Sequence, residues 1–330
     1  MNVDRSSRVV EPVALPPSAK THNPLALGTW AFGGTQWGGQ EDANSLAVMD
    51  AARKDGILHF DTATGYGNGR SETLVGQFIK DHGIREQVFL ASKQGCRGED
   101  GDVYYKAIED SLSRLQTDYI DLYYIHWPKS DADMRPTMKA LERARGEGKV
   151  KTIGVSNFSV DHMRQVGEAG KVDAHQIGYS LLWRWAEKDV IPYCQENGVA
   201  VVTYSSIAQG ILTGKFKSRQ KPTFPDGDQR NKMVLFDENV WPHVFDGVQK
   251  MQAVADRIGR SLTELSIRWA ISRPFVTSVL VGARDAGQMH QNAQAVRGEI
   301  DPAVFDELTA ISDETLAAVP DTGNLFRYYP

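Results

Sequence analysis

The feature that most constrains this chain is a short apolar run repeated eight times, each run followed by a longer polar or amphipathic stretch. The runs occupy residues 25–28, 57–61, 88–93, 120–126, 150–155, 174–177, 198–203 and 276–281. Short apolar runs that alternate with helical patterns read as the buried strands of a parallel sheet. Helical patterns fill 42–54, 71–81, 103–115 and 136–147, the last with Pro136 in its first turn, where a missing N–H costs nothing. Eight units without a linker-like break predict one closed barrel of parallel strands, a (β/α)8 TIM barrel, over an open doubly wound sheet. A length of 330 residues suffices, since such barrels need about 250. Residues 1–23, polar and carrying Pro12, Pro16 and Pro17, read as a weakly structured arm before a barrel domain of 24–330. The stretch 216–241, after the seventh strand, is long, charged and rich in Pro, Gly and Asp. Loops of that length in a compact domain are usually functional or mobile.

Composition excludes several classes. A net charge of −5 provides no basic stripe for nucleic acid. Two cysteines, Cys96 and Cys194, make no disulfide framework and fit a reducing compartment. No apolar run nears the roughly 18 residues that span a membrane, and the first twenty or so residues lack a secretory apolar core. The expectation is a cytoplasmic protein with neither a membrane nor a nucleic-acid partner. The histidines at 22, 59, 82, 162, 175, 243 and 290 show no metal-ligand spacing, so no metal is expected.

In a parallel barrel the C-terminal strand ends converge on one face. Asp61, Lys93 and His126 close the second, third and fourth strands, and Tyr66 stands in the loop after the second. A tyrosine hydroxyl ionises at about pH 10, and a neighbouring ammonium would favour its ionised form. Asp61 would offset the cost of burying Lys93, and His126 could donate a hydrogen bond or relay a proton. Together the four suit proton delivery to a carbonyl oxygen. Spacing alone leaves each open to a plainer reading as a strand-end loop residue.

Longer motifs carry a resemblance. Phe60-Asp61-Thr62-Ala63, Gly65-Tyr66-Gly67 and Gly69-Arg70-Ser71-Glu72 resemble the aldo-keto reductase signature. So do Ala91-Ser92-Lys93, the run from Asp118 through His126 to Trp127, and Gly154-Val155-Ser156-Asn157-Phe158. Within that superfamily the chain looks most like bacterial general-stress reductases and potassium-channel β subunits. The resemblance implies a catalytic tetrad of Asp61, Tyr66, Lys93 and His126, with Tyr66 as general acid in reduction and base in oxidation. Thr64, between Asp61 and Tyr66, is a small departure.

The resemblance also implies a nicotinamide cofactor held without a Rossmann fold. The residues agree: Gly65–Gly69 fails the dinucleotide fingerprint at Arg70, and Gly210–Lys215 is one residue short of a P-loop. By resemblance, Ser156, Asn157 and Gln176 hold the carboxamide, Tyr204 stacks on the ring, and Gly28, Thr29, Trp30 and Asp61 line the floor. Ser205, Ile207, Gly210, Leu212, Gly214 and Lys215 belong to a loop crossing the pyrophosphate, with Arg230 a further phosphate ligand. Gly282, Arg284, Gln288, Gln291 and Asn292 follow the eighth strand and open a helix, a natural anion site. Arg284 could grip a 2′-phosphate, which favours NADPH over NADH; a solvated charge at a helix start is the alternative.

Trp30, Tyr66, His126 and Trp127 make the expected substrate pocket, with Trp37, Trp183 and Trp185 nearby. Loops at 129–135 and 216–241 and the segment 324–329 could close over it. An aromatic pocket suggests aldehydes, quinones or aryl ketones. The reading is an NADPH-dependent reductase of small carbonyl compounds, reversible as an alcohol dehydrogenase. The alternatives are a slow nucleotide-sensing module of the channel-β kind and an oxidatively acting sugar or inositol dehydrogenase.

Overall fold

A computed structural model describes residues 10–18, 20–34, 39–96, 101–129 and 132–327. It begins with a two-stranded antiparallel hairpin, β1 (Val13–Ala14) and β2 (Thr21–His22). Eight parallel strands then close into a barrel: β3 (Leu25–Gly28), β4 (His59–Asp61), β5 (Phe89–Gln94), β6 (Ile120–Ile125), β7 (Val150–Ser156), β8 (Ala174–Gly178), β9 (Ala200–Tyr204) and β10 (Val276–Val281). Each pairs with the next, and β10 returns to β3. The TIM barrel expected from the alternation is the fold observed.

Helices surround it: α1 (Asp42–Lys54), α2 (Arg70–Asp81), α3 (Gly101–Leu115), α4 (Arg135–Gly146), α5 (Val160–Gly167), α6 (Val190–Glu196), α7 (Trp241–Arg257), α8 (Leu262–Ser272), α9 (Ala286–Ala293) and α10 (Pro302–Leu316). Local chemistry sets several starts. Ser159 and Ser261 each form a capping box, with His162 and Glu264, which satisfies N–H groups a helix start leaves unpaired. α7 and α10 are additions to the strand–helix repeat and pack on each other. Gly247 permits the approach, since a Cβ there would lie 2.0 Å from Thr315 Oγ1.

Strand alternation sorts the core. Ala26, Phe89, Ala91, Leu122, Tyr124, Ala174, Val202 and Leu280 point inward and form a separate cluster inside the barrel. The outward set, including Phe60, Leu90, Tyr123, Ile153 and Val155, packs under the helices. Because side chains alternate with a period of two, Asp61 shares the inward parity of His59, Lys93 that of Ala91, His126 that of Tyr124, Gln176 that of Ala174, and Tyr204 that of Val202.

One expectation needs correction. Residues 10–18 and 20–22 are not a weakly structured arm: Leu15 is fully buried in the inner cluster, and Lys20 pairs with Asp121 at 3.0 Å. The hairpin closes the N-terminal end of the barrel, where exposed apolar side chains would otherwise meet water. The segment 216–241 is anchored as well as long. Phe224 and Phe236 approach to 4.8 Å between ring centres, and Trp241 lies 5.3 Å from Phe216.

Candidate active site

At the C-terminal end of the strands lies a cavity of about 1020 Å³. Asp61, Tyr66 and His126 line it. Lys93 lies beneath, 1 % exposed, with Nζ donating to Asp61 Oδ1 and, at 2.9 Å, to the Thr62 carbonyl. Lys93 Nζ is 5.1 Å from the centre of the Tyr66 ring, and that ring meets His126 edge-on at 5.9 Å. The four residues expected at the strand ends therefore converge. A hydroxyl network holds the backbone beneath them: Thr29 Oγ1 donates to the Asp61 carbonyl at 2.9 Å, and Thr62 Oγ1 to Ser71 Oγ at 2.9 Å.

Electrostatics separates their roles. Burial, reinforced by the Lys93 charge, holds the His126 imidazole well below the usual histidine range, so it is neutral at pH 7. Burial also pulls the Lys93 ammonium down and pushes the Asp61 carboxyl up, while their mutual attraction opposes both shifts. Gln176 Nε2 donates to the second Asp61 oxygen at 2.8 Å, which helps keep it ionised.

The cavity widens into a polar lobe. Asn157 Nδ2 donates to the His126 carbonyl at 3.1 Å and to Ser156 Oγ at 3.0 Å, and its Oδ1 accepts from the Tyr204 hydroxyl at 2.6 Å. Asn157, Ser205, Ala208 and Gln209 all take left-handed backbone conformations. For residues other than glycine that costs about 1–3 kcal/mol each and clusters at functional sites. Lys215, Arg230, Lys232 and Arg284 line the far end. Lys215 is held below the usual lysine range by burial first and then by Arg230, with Arg284 adding to it and Asp228 opposing. Mutually repelling cations of this kind favour an anionic occupant. Arg284 Nη2 donates to the Gly39 carbonyl at 2.7 Å, and its backbone N–H to Gln288 Oε1 at 3.0 Å.

Most residues expected to bind a cofactor line this one cavity: Gly28, Trp30, Asp61, Ser156, Asn157, Gln176, Tyr204, Ser205, Ile207, Gly210, Lys215, Arg230, Gly282, Arg284, Gln288, Gln291 and Asn292. Three do not. Thr29 and Leu212 are fully buried beneath it, and Gly214 turns the chain with φ 67°. Trp127 lines the pocket, whereas Trp183 supports it from behind, edge-on to Tyr204 at 5.7 Å. Trp37 lies outside the described residues. Ser261, Thr263 and Glu264 were not anticipated and do line the cavity, while Gln209 and Thr213 of the expected pyrophosphate loop and Phe326 of the expected closing segment line it too. The Ser261–Glu264 capping box is a visible motif, but nothing local says which way that helix end faces. Among the described residues no cluster of His, Cys, Asp and Glu could hold a metal ion. No helix there is long and apolar enough to cross a membrane.

The Aldo/keto reductase family profile matches residues 24–313. The chain belongs to that family. It is 34 % identical to the aldo-keto reductase YhdN of Bacillus subtilis, covering 89 % of this chain and 91 % of that protein. It is 32 % identical to an NADH-specific methylglyoxal reductase of Escherichia coli, over 82 % of this chain and 89 % of that one. Among solved structures, a glycerol dehydrogenase from Gluconobacter oxydans superposes with a TM-score of 0.82 at 30 % identity, covering 94 % and 96 % of the two chains. Membership makes the protein an oxidoreductase of a family that uses nicotinamide cofactors. The donor set fits such a group: amides beside the four converging residues, and cations for a pyrophosphate at the far end.

Proposed function

We propose that the protein reduces aldehyde or ketone carbonyls to alcohols with NADPH, reversibly, with Tyr66 as the proton donor. The observation that carries this reading is the neutral His126 beside Tyr66, above the buried Lys93–Asp61 pair. When bound in the cavity, a nicotinamide dinucleotide would supply the hydride for the carbonyl carbon. His126, being neutral, donates a hydrogen bond to the carbonyl oxygen and orients it. Tyr66 passes its hydroxyl proton to that oxygen as negative charge develops, and the Lys93 ammonium stabilises the phenolate left behind. Asp61 holds Lys93 in place. In the oxidative direction Tyr66 recovers the proton from the alcohol.

Ser156, Asn157 and Gln176 would hold the carboxamide, Tyr204 the ring, and Lys215 and Arg230 the pyrophosphate. Arg284, at the start of α9, would meet a 2′-phosphate, which is the reason for naming NADPH. The Escherichia coli relative is NADH-specific by name, so both cofactors belong in the test. Trp30, Trp127 and Phe326 give the pocket apolar walls suited to aryl aldehydes, aryl ketones or quinones. The glycerol dehydrogenase likeness favours a second reading, polyol oxidation. The deciding experiment follows nicotinamide absorbance with each cofactor over a panel of aromatic aldehydes and quinones, and with glycerol in the reverse direction. Turnover of the panel with NADPH preferred is expected. Binding without turnover on any substrate would overturn the reductase reading and favour the sensing module.

A further inference from the structure

Tyr124 points into the barrel one turn of the pleat below the cavity, on the inward parity of His126, and is fully buried. Its partner in the β6–β7 register is Gly154. The ring fits because Gly154 has no side chain: a Cβ there would lie 2.2 Å from Tyr124 Cδ1. The hydroxyl lies against the Gln176 side chain and in the field of Asp61, yet it makes no hydrogen bond of normal geometry. Burial and the Asp61 charge both keep it protonated, so it is available as a donor. A buried hydroxyl without a partner is a net cost to the fold, one that phenylalanine would avoid. Beside it, Asp61 Oδ2 accepts from Gln176 Nε2 at 2.8 Å.

Gln176 therefore has two claims on it, because it also lines the cavity where the carboxamide would sit. We propose that Tyr124 is a positioning residue, whose hydroxyl takes over as donor to Asp61 when Gln176 turns to the nicotinamide carboxamide. The exchange keeps Asp61 ionised and directional, and so keeps Lys93 in place under Tyr66, in the state where the reaction runs. It also explains why a polar atom is kept in the barrel interior without a bond in the cofactor-free form. The inference rests on the function proposed above.

Tyr124→Phe removes the hydroxyl and little else. Without cofactor the variant should melt at the same temperature as wild type or higher, since no hydrogen bond is lost. NADPH, titrated by tryptophan fluorescence, should bind about tenfold more weakly, the worth of one hydrogen bond to a charged group. The acidic limb of the kcat profile should move to higher pH, because a carboxylate that loses a donor holds its proton more tightly. In a Gln176→Ala background the hydroxyl should already hold Asp61, so adding Tyr124→Phe should then lower the melting temperature of the free protein. An unchanged affinity and pH limb, or a loss of free-protein stability in the Tyr124→Phe single variant alone, would mean that Tyr124 only packs the barrel, and the inference fails. Wild-type protein that binds neither NADPH nor NADH overturns the proposed function and this inference together.

Discussion

His126 and Tyr66 show how environment assigns roles to neighbouring polar groups. Their rings meet edge-on at 5.9 Å, but in the proposed mechanism only Tyr66 gives a proton to a carbonyl oxygen, with the Lys93 ammonium to stabilise the anion. An imidazole held neutral by burial and by Lys93 is a hydrogen-bond donor and a poor acid. Replacing Tyr66 with Phe should therefore cut turnover about 100- to 10,000-fold, the usual worth of general acid–base participation, with NADPH affinity nearly unchanged. Near-normal rates on several aldehydes would remove Tyr66 from that role. On the proposed function, Arg284 is the residue on which cofactor choice would turn. Its guanidinium is exposed at the start of α9 and spends one donor on the Gly39 carbonyl, at 2.7 Å. Arg284→Ala should weaken NADPH much more than NADH, since only the former carries a 2′-phosphate. Dissociation constants that rise equally for both would assign Arg284 to general charge attraction instead.

At the scale of elements, each barrel strand does two jobs. Its lower inward residues fill the barrel, and its last inward residue faces the cavity, as in Ala174 then Gln176 and Val202 then Tyr204, or lies just beneath it, as in Ala91 then Lys93. The strand ends were legible in the sequence, because the close of an apolar run is a property of neighbouring residues. The hairpin was not. Each of its strands is two residues long, too short for any periodicity, and its worth depends on the barrel mouth it covers. Leu15, fully buried among Ala26, Phe89 and Leu280, is the test. Leu15→Ala should cost about 2–5 kcal/mol by leaving a cavity, seen as a lower midpoint in urea at unchanged slope. A shift within error would mean that the hairpin lies on the barrel without supporting it. α7 and α10 escaped the eightfold pattern for a related reason: they pack on each other, at Gly247 and Thr315, and follow the repeat of no strand.

For the whole molecule, the fully buried imidazoles set a limit on the acid side. Burial holds His175 down to about 3, and also holds His59 well below its ordinary value and His22 below it. Between those values and about 6.5 the unfolded chain binds protons that the folded protein does not. Each such histidine thus contributes stability that is complete above about pH 6.5 and is lost as pH falls, by roughly 1.4 kcal/mol per pH unit. The melting temperature should drop steadily from pH 6.5 to 5, before most carboxylates titrate. A flat profile over that interval would mean that these rings accept protons in the folded state. The sequence by itself determined the number of barrel strands and the strand-end positions of Asp61, Lys93 and His126, because both are written in runs of adjacent residues. Tertiary structure alone decided what those residues meet. Gln176 reaches Asp61 across 115 positions of chain, and Lys215, Arg230 and Arg284 share one field. The buried Tyr124 hydroxyl comes under the influence of both Asp61 and Gln176. Such encounters follow from how the barrel closes and how its loops fold back over the strand ends, and neither leaves a mark on any local stretch of sequence.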